Sequence, residues 1–98
     1  MKINLTDENF DDLINNELVL VDFYADWCGP CRMLSPIIDE VSNEIDLKVI
    51  KVNVDNHEDL AKRFGIMSIP TIILFKNGEE QNKNIGLISK EELLEFIK

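Results

Sequence analysis

Two cysteines stand three residues apart in Trp27-Cys28-Gly29-Pro30-Cys31, and the chain has no others. Sulfur at this spacing suits a reversible dithiol–disulfide couple, a permanent cross-link, or half of a metal site. Residues i and i+3 of a helix carry Cβ atoms about 5–6 Å apart, and a disulfide needs about 3.5–4.5 Å. A small adjustment of one turn therefore takes the pair from one redox state to the other. An apolar run ends just before the pair and helical periodicity begins just after it. That places the cysteines at a helix start, where unpaired N–H groups carry partial positive charge. A thiolate is stabilised there, so Cys28, at the solvent end, is the expected nucleophile. Cys31, one turn in, is expected to be the more shielded thiol. Pro30 suits an early helical position and stiffens the loop. A purely structural bond closing so short a loop contributes only about 2 kcal/mol. Tetrahedral zinc needs four ligands, and the chain offers two Cys and one His, His57, in what reads as an exposed helix start. A metal shared between two chains stays open as an alternative.

Asp22 is the second residue with chemical potential. It interrupts the apolar run six positions before Cys28, flanked by Leu20, Val21 and Phe23. A buried carboxyl must be paired or hold its proton more tightly. Near a thiol pair, that is the property of a proton-relay base. Lys51, on the following strand, is the nearby basic candidate to pair with it, although a strand lysine also reaches solvent by its stem.

The elements that position these groups alternate along the chain. Lys2 to Leu5 reads as a short edge strand. Thr6 is a candidate N-cap, followed by Asp7 and Glu8 and by Phe10, Leu13 and Ile14 at helical spacing. Leu18 to Ala25 reads as a central strand buried on both faces. Leu34, Ile37, Ile38, Val41 and Ile45 then mark one face of a long helix. Pro36 lies inside it and predicts a kink near Arg32. Lys48 to Val54 is the next strand, and Asp55, with Glu58 three residues on, is a candidate cap for a short helix ended by Gly65. Thr71 to Lys76 and Glu79 to Ile85 flank Asn77-Gly78, a strong hairpin signal. Ser89 with Glu92 predicts a capping box on a last helix carrying Leu93, Leu94, Phe96 and Ile97. The order β-α-β-α-β-α-β-β-α predicts an α/β fold, with a central mixed β-sheet flanked by helices.

The 98 residues suit one domain spanning 1–98, with 45% apolar residues to build its core. Ten Lys and Arg against 19 Asp and Glu leave a net charge of −9. A polyanion is repelled by such a chain, which argues against nucleic acid and against an anionic membrane surface. No run approaches the length of a membrane span, and the N-terminus lacks an apolar secretion signal. The expected location is the cytoplasm, where a merely structural disulfide would stay reduced.

The segment Val21-Asp-Phe-Tyr-Ala-Asp-Trp-Cys-Gly-Pro-Cys-Arg32 resembles the active-site segment of the thioredoxin family, itself the type example of a C-x-x-C redox motif. The resemblance runs on through Pro36, Lys51-Val-Asn-Val-Asp55, Phe64-Gly-Ile-Met-Ser-Ile-Pro-Thr71, Phe75-Lys-Asn-Gly78 and Gly86. It implies a thioredoxin fold and a general protein-disulfide reductase. It also implies that Pro70 is a cis-proline beside the cysteines, a state of only about 5–6% of X–Pro bonds. Trp27, Val54, Ile69, Pro70 and Gly86 would form the apolar surface that accepts substrate backbones. Tyr24 departs from the second Trp frequent in the family, and Met67-Ser68 from its usual Arg-Gly-like pairs, which bears on partner preference. Glutaredoxins usually carry Pro-Tyr between their cysteines and disulfide isomerases Gly-His, so Gly29-Pro30 argues for a reductant.

The expected cycle uses disulfide-containing proteins as substrates and a thioredoxin-reductase-type electron donor, with the chain a monomer that carries electrons and maintains redox balance. No G-x-G-x-x-G fingerprint is present, so no nicotinamide or flavin cofactor of its own is expected. The alternatives are a specialised partner of one enzyme, and a binding or assembly subunit that uses the fold without turnover.

Overall fold

The computed structural model describes residues Met1 to Lys98. In chain order the elements are β1 (Lys2–Asn4), α1 (Phe10–Ile14), β2 (Val19–Tyr24), α2 (Gly29–Glu44), β3 (Lys48–Asn53), α3 (Glu58–Arg63), β4 (Thr71–Lys76), β5 (Glu79–Ile85) and α4 (Lys90–Ile97). They form one five-stranded sheet in the order β1-β3-β2-β4-β5. β3 runs parallel to both β1 and β2, while β4 is antiparallel to β2 and β5 to β4. This is the mixed sheet expected of the alternating pattern.

The core has two layers because β2 and β3 are apolar on both faces. Val21 and Phe23 of β2, with Ile50 and Val52 of β3, pack under α1 and α3. Phe10, Phe23, Phe64 and Phe75 meet there, with ring centroids 5.6–6.1 Å apart. Leu20 and Val49 face the other way, against Leu34, Ile38 and Val41 of α2 and Leu93 and Ile97 of α4. Asp22 and Lys51 follow Leu20 and Val49 by two residues, so strand alternation puts both on the α2 side. β5 is solvent-exposed along nearly its whole length and carries Glu79, Glu80 and Lys83, charges that blunt a sheet edge.

Local chemistry explains most element ends. Asn77 and Gly78 both take positive φ, 52° and 84°, as a two-residue hairpin turn requires. Ser89 and Glu92 form the reciprocal capping box at the start of α4. Gly65, with φ 63°, follows the end of α3. α2 continues as one α-helix through Pro36.

Two caps differ from the sequence reading. α1 is capped by Asn9, whose Oδ1 accepts from the Asp12 N–H at 3.0 Å, not by Thr6. The Glu8 carboxylate folds back onto the Thr6 N–H at 2.7 Å, a local bond that holds the chain in a turn and delays the helix. α3 begins after His57, not after Asp55, whose carboxylate is engaged elsewhere. The short edge strand β1 stops at Asn4, although the Leu5 N–H still donates to the Lys51 carbonyl at 2.9 Å.

Replacing Leu34 by Ala, under the middle of the sheet, is expected to lower stability by about 2–5 kcal/mol. Ser89→Ala, at the α4 cap, should cost about 1 kcal/mol. Urea denaturation of the oxidised protein measures both, and the reverse ranking would contradict this packing.

Candidate active site

Cys28 is the N-cap residue of α2, in extended conformation at φ −89° and ψ 111°. Gly29 and Pro30 form the first turn, where a proline's missing N–H costs nothing. The Cys31 N–H points back at Cys28 Sγ from 3.2 Å. Cys28 and Cys31 are joined by a disulfide, with Cα atoms 5.3 Å apart. The expectation of Cys28 at the solvent end and Cys31 more shielded concerns the free thiols; in the bridged state the two residues are about equally covered. The two residues are 5% and 4% exposed and pack against Ala25, with Tyr24, Val54 and Ile69 around them.

Three loops meet at the cysteines. The β2–α2 loop carries Trp27, which is 68% exposed and whose indole N–H donates to Asp55 Oδ2 at 2.9 Å. Asp55 belongs to the β3–α3 loop, so this bond ties the ends of two parallel strands together. Its neighbour Val54 is half-buried, and the Val54 N–H donates to the Tyr24 carbonyl at 2.9 Å. The third loop precedes β4. Its Ile69–Pro70 peptide bond is cis, and the Ile69 carbonyl oxygen lies 3.8 Å from Cys28 Sγ. Pro70 is buried and Ile69 half-buried. The Gly86 N–H donates to the Pro70 carbonyl at 2.8 Å, and Gly86 takes φ 100°, open to glycine without strain. Trp27, Val54, Ile69, Pro70 and Gly86 thus lie on connected loops around the bridge, although Pro70 offers little surface of its own.

Asp22 and Lys51 are register partners on neighbouring parallel strands. Asp22 is 1% exposed and Lys51 7%. Lys51 Nζ lies 3.0 Å from Asp22 Oδ2. Apart from this ammonium, both carboxyl oxygens are buried with no hydrogen-bond donor. Burial drives the Asp22 pKa above the ordinary 3.8; the Lys51 charge and its hydrogen bond oppose this without cancelling it, and the Asp39 carboxylate adds a little. A carboxyl so placed takes up a proton more readily than one in water.

His57 is not part of this site. It is half-buried at the start of α3, with Nε2 3.0 Å from the Leu5 carbonyl oxygen. No group of three or more His, Cys, Asp or Glu side chains is arranged to hold a metal ion. The sequence reading missed Asp55 as the partner of Trp27, since a bond across 28 residues leaves no local pattern. It also passed over Ser35 of α2, whose Oγ accepts from Lys51 Nζ at 3.1 Å.

Cysteines held this way exchange dithiol for disulfide within one turn of helix, the chemistry of thiol–disulfide oxidoreductases. The Thioredoxin family profile matches residues 1–98. The thioredoxin of Rickettsia felis is 50% identical, over 99% of this chain and 96% of its own length. That of Staphylococcus saprophyticus is 45% identical, over 97% of this chain and 93% of its own. Among solved structures, a mutant thioredoxin from Halobacterium salinarum superposes with a TM-score of 0.91 at 37% identity, covering 98% of this chain and 87% of that one. The chain belongs to the thioredoxin family, and its activity is protein-disulfide reduction by thiol–disulfide exchange.

The raised Asp22 pKa has a consequence for stability. Below the ordinary value of 3.8 the carboxyl is protonated whether the chain is folded or not, and contributes nothing. As pH rises past it, the unfolded chain releases the proton first, so the parent loses stability until the folded carboxyl ionises too. Asp22→Asn lacks this loss. Its stability relative to the parent should therefore climb as pH rises above about 4 and then level off, as read by urea denaturation at a series of pH values. A difference that does not change with pH would contradict the environment described for Asp22.

Proposed function

We propose that Cys28 is the attacking sulfur and Cys31 the resolving one in a two-step reduction of protein disulfides. The Cys28 thiolate attacks one sulfur of a substrate disulfide and forms a mixed disulfide, while the other substrate sulfur leaves as a thiolate and takes a proton from solvent. Cys31 gives its proton to the Asp22 carboxylate through a water, and its thiolate attacks Cys28. The second substrate sulfur leaves, and a Cys28–Cys31 bridge remains. Two electrons have passed to the substrate. A thioredoxin-reductase-type donor returns two electrons, and the dithiol is restored.

The observation that carries this reading is the Cys31 N–H aimed at Cys28 Sγ from 3.2 Å at the head of α2. The same donor stabilises a Cys28 thiolate once the bridge opens. Gly29 and Pro30 complete that turn and keep its backbone approachable. Trp27, Val54, Ile69, Pro70 and Gly86 form the docking surface, with exposed Trp27 its main apolar contact and the Ile69 carbonyl, beside Cys28, its backbone acceptor. Lys51 moderates the charge of Asp22. The whole chain, residues 1–98, works as one domain and as a monomer, carrying electrons in the cytoplasm. No helix is long and apolar enough to cross a membrane.

Mixing Cys31→Ser with a disulfide-bonded protein such as insulin is expected to accumulate a one-to-one adduct on Cys28, visible by mass spectrometry. Turnover should fall at least about a hundredfold, since the thiolate that resolves the adduct is gone. A Cys31→Ser variant that still turns over would sink the two-cysteine scheme.

A further inference from the structure

Met67 stands in the loop before β4, two residues ahead of Ile69, and has no part in the chemistry above. It is 94% exposed, against 75% for Met1 and 60% for Met33, so its thioether is open to small reagents in water. A groove of about 390 Å³ lies between this loop and α3. Val54, Ala61, Ile66 and Met67 give it an apolar lining, and Glu58 and Lys62 of α3 are its charged groups. Val54 joins the groove to the sulfur site, because the same side chain packs against the cluster of Ala25, Cys28 and Cys31. A substrate segment that runs on from Val54 enters the groove that Met67 walls.

Peroxides oxidise a methionine thioether to the sulfoxide, which turns a flexible apolar side chain into a polar one. A cysteine is oxidised in this way as its thiolate. In the bridged state Cys28 and Cys31 carry no thiolate and are 5% and 4% exposed, so the methionines take the oxidant and the couple is kept. Met67 is the methionine that lines the groove; Met33 lies on α2 and Met1 precedes β1.

We propose that Met67 is a modification site: a hydroperoxide converts its thioether to the sulfoxide, and the polar wall so formed slows the reduction of protein disulfides while leaving the Cys28–Cys31 couple intact. The sulfur takes one oxygen atom. Its lone pair supplies two electrons to the peroxide O–O bond, which breaks, and the reagent leaves as an alcohol, or as water where it is hydrogen peroxide. A methionine sulfoxide reductase is the class of enzyme that removes the oxygen again. The proposal rests on the reading of Trp27, Val54 and Ile69 as part of the surface that accepts substrates.

The test exposes the oxidised protein to dilute hydrogen peroxide and locates the added oxygen by peptide mass spectrometry. Dithiothreitol then opens the bridge and leaves the sulfoxide in place. With that reductant removed, the dithiol is mixed in a single turnover with insulin or with a small aromatic disulfide. Peroxide treatment should lower the rate with insulin about fivefold, as the apolar contact of one side chain is lost, and leave the rate with the small disulfide unaltered. Untreated Met67→Gln should show the same selective loss. Met67→Leu should react with insulin at the same rate before and after peroxide, and methionine sulfoxide reductase should restore the treated parent. An unaltered insulin rate in a parent carrying the oxygen on Met67, or an equal loss in Met67→Leu, would overturn the proposal. So would a matching loss with the small disulfide, which places the damage at the cysteines. Trp27→Ala separates the two readings. If it slows the insulin reaction and Met67→Gln does not, the docking surface stands and Met67 lies outside it; if neither slows it, the docking reading fails with the proposal.

Discussion

A carboxyl group buried in the middle of an apolar sheet, with one lysine for a partner, is the constraint around which this molecule is organised. Asp22 occupies an inward-facing position of β2, the central strand, where an aliphatic residue would pack with no desolvation penalty. Parallel pairing with β3 sets Lys51 beside it, with the ammonium 3.0 Å from the carboxyl. α2 closes over the pair and carries both cysteines in its first turn. A paired charge in such a place is rarely a net gain in stability. In the proposed cycle its use is to take the proton of Cys31.

The two halves of the site are built differently. The cysteine half is local: Cys28, Gly29, Pro30 and Cys31 make a helix start, and the helix start supplies the N–H that faces Cys28 Sγ. The half proposed for docking is assembled from three chain segments far apart in sequence, around Trp27, Asp55 and Ile69–Pro70. The sheet order explains why they meet. β3 and β4 flank β2 on either side, so the loop after β3 and the loop before the antiparallel β4 both converge on the end of β2.

That division also governs how much was legible in the sequence. The order of elements, the β4–β5 hairpin and the α4 cap follow from periodicity and from turn and cap residues that act within a few positions. The cysteine pair, and Asp22 as an acid out of place, were readable for the same reason. Local rules failed where a side chain had a competing partner. Thr6 resembles an N-cap, but the Glu8 carboxylate bonds to its N–H and Asn9 takes the cap instead. Asp55 resembles another, but its carboxylate is drawn to the indole of Trp27, a contact that only the fold creates. The Ser35–Lys51 bond left no signal, because it joins residues 16 apart on different elements. The docking residues were reached through family resemblance, not through spacing.

The central claim is that the Cys28–Cys31 couple donates electrons to protein disulfides. Its most direct test is the reduction potential of that couple, from equilibration of the metal-free protein against glutathione and dithiothreitol buffers. Each change of about 30 mV alters the exchange equilibrium tenfold. The account predicts a potential well below that of the glutathione couple, so that the dithiol is the form that gives electrons away. A potential near that of strong thiol oxidants would contradict it, and would mean that the same site forms disulfides in its substrates.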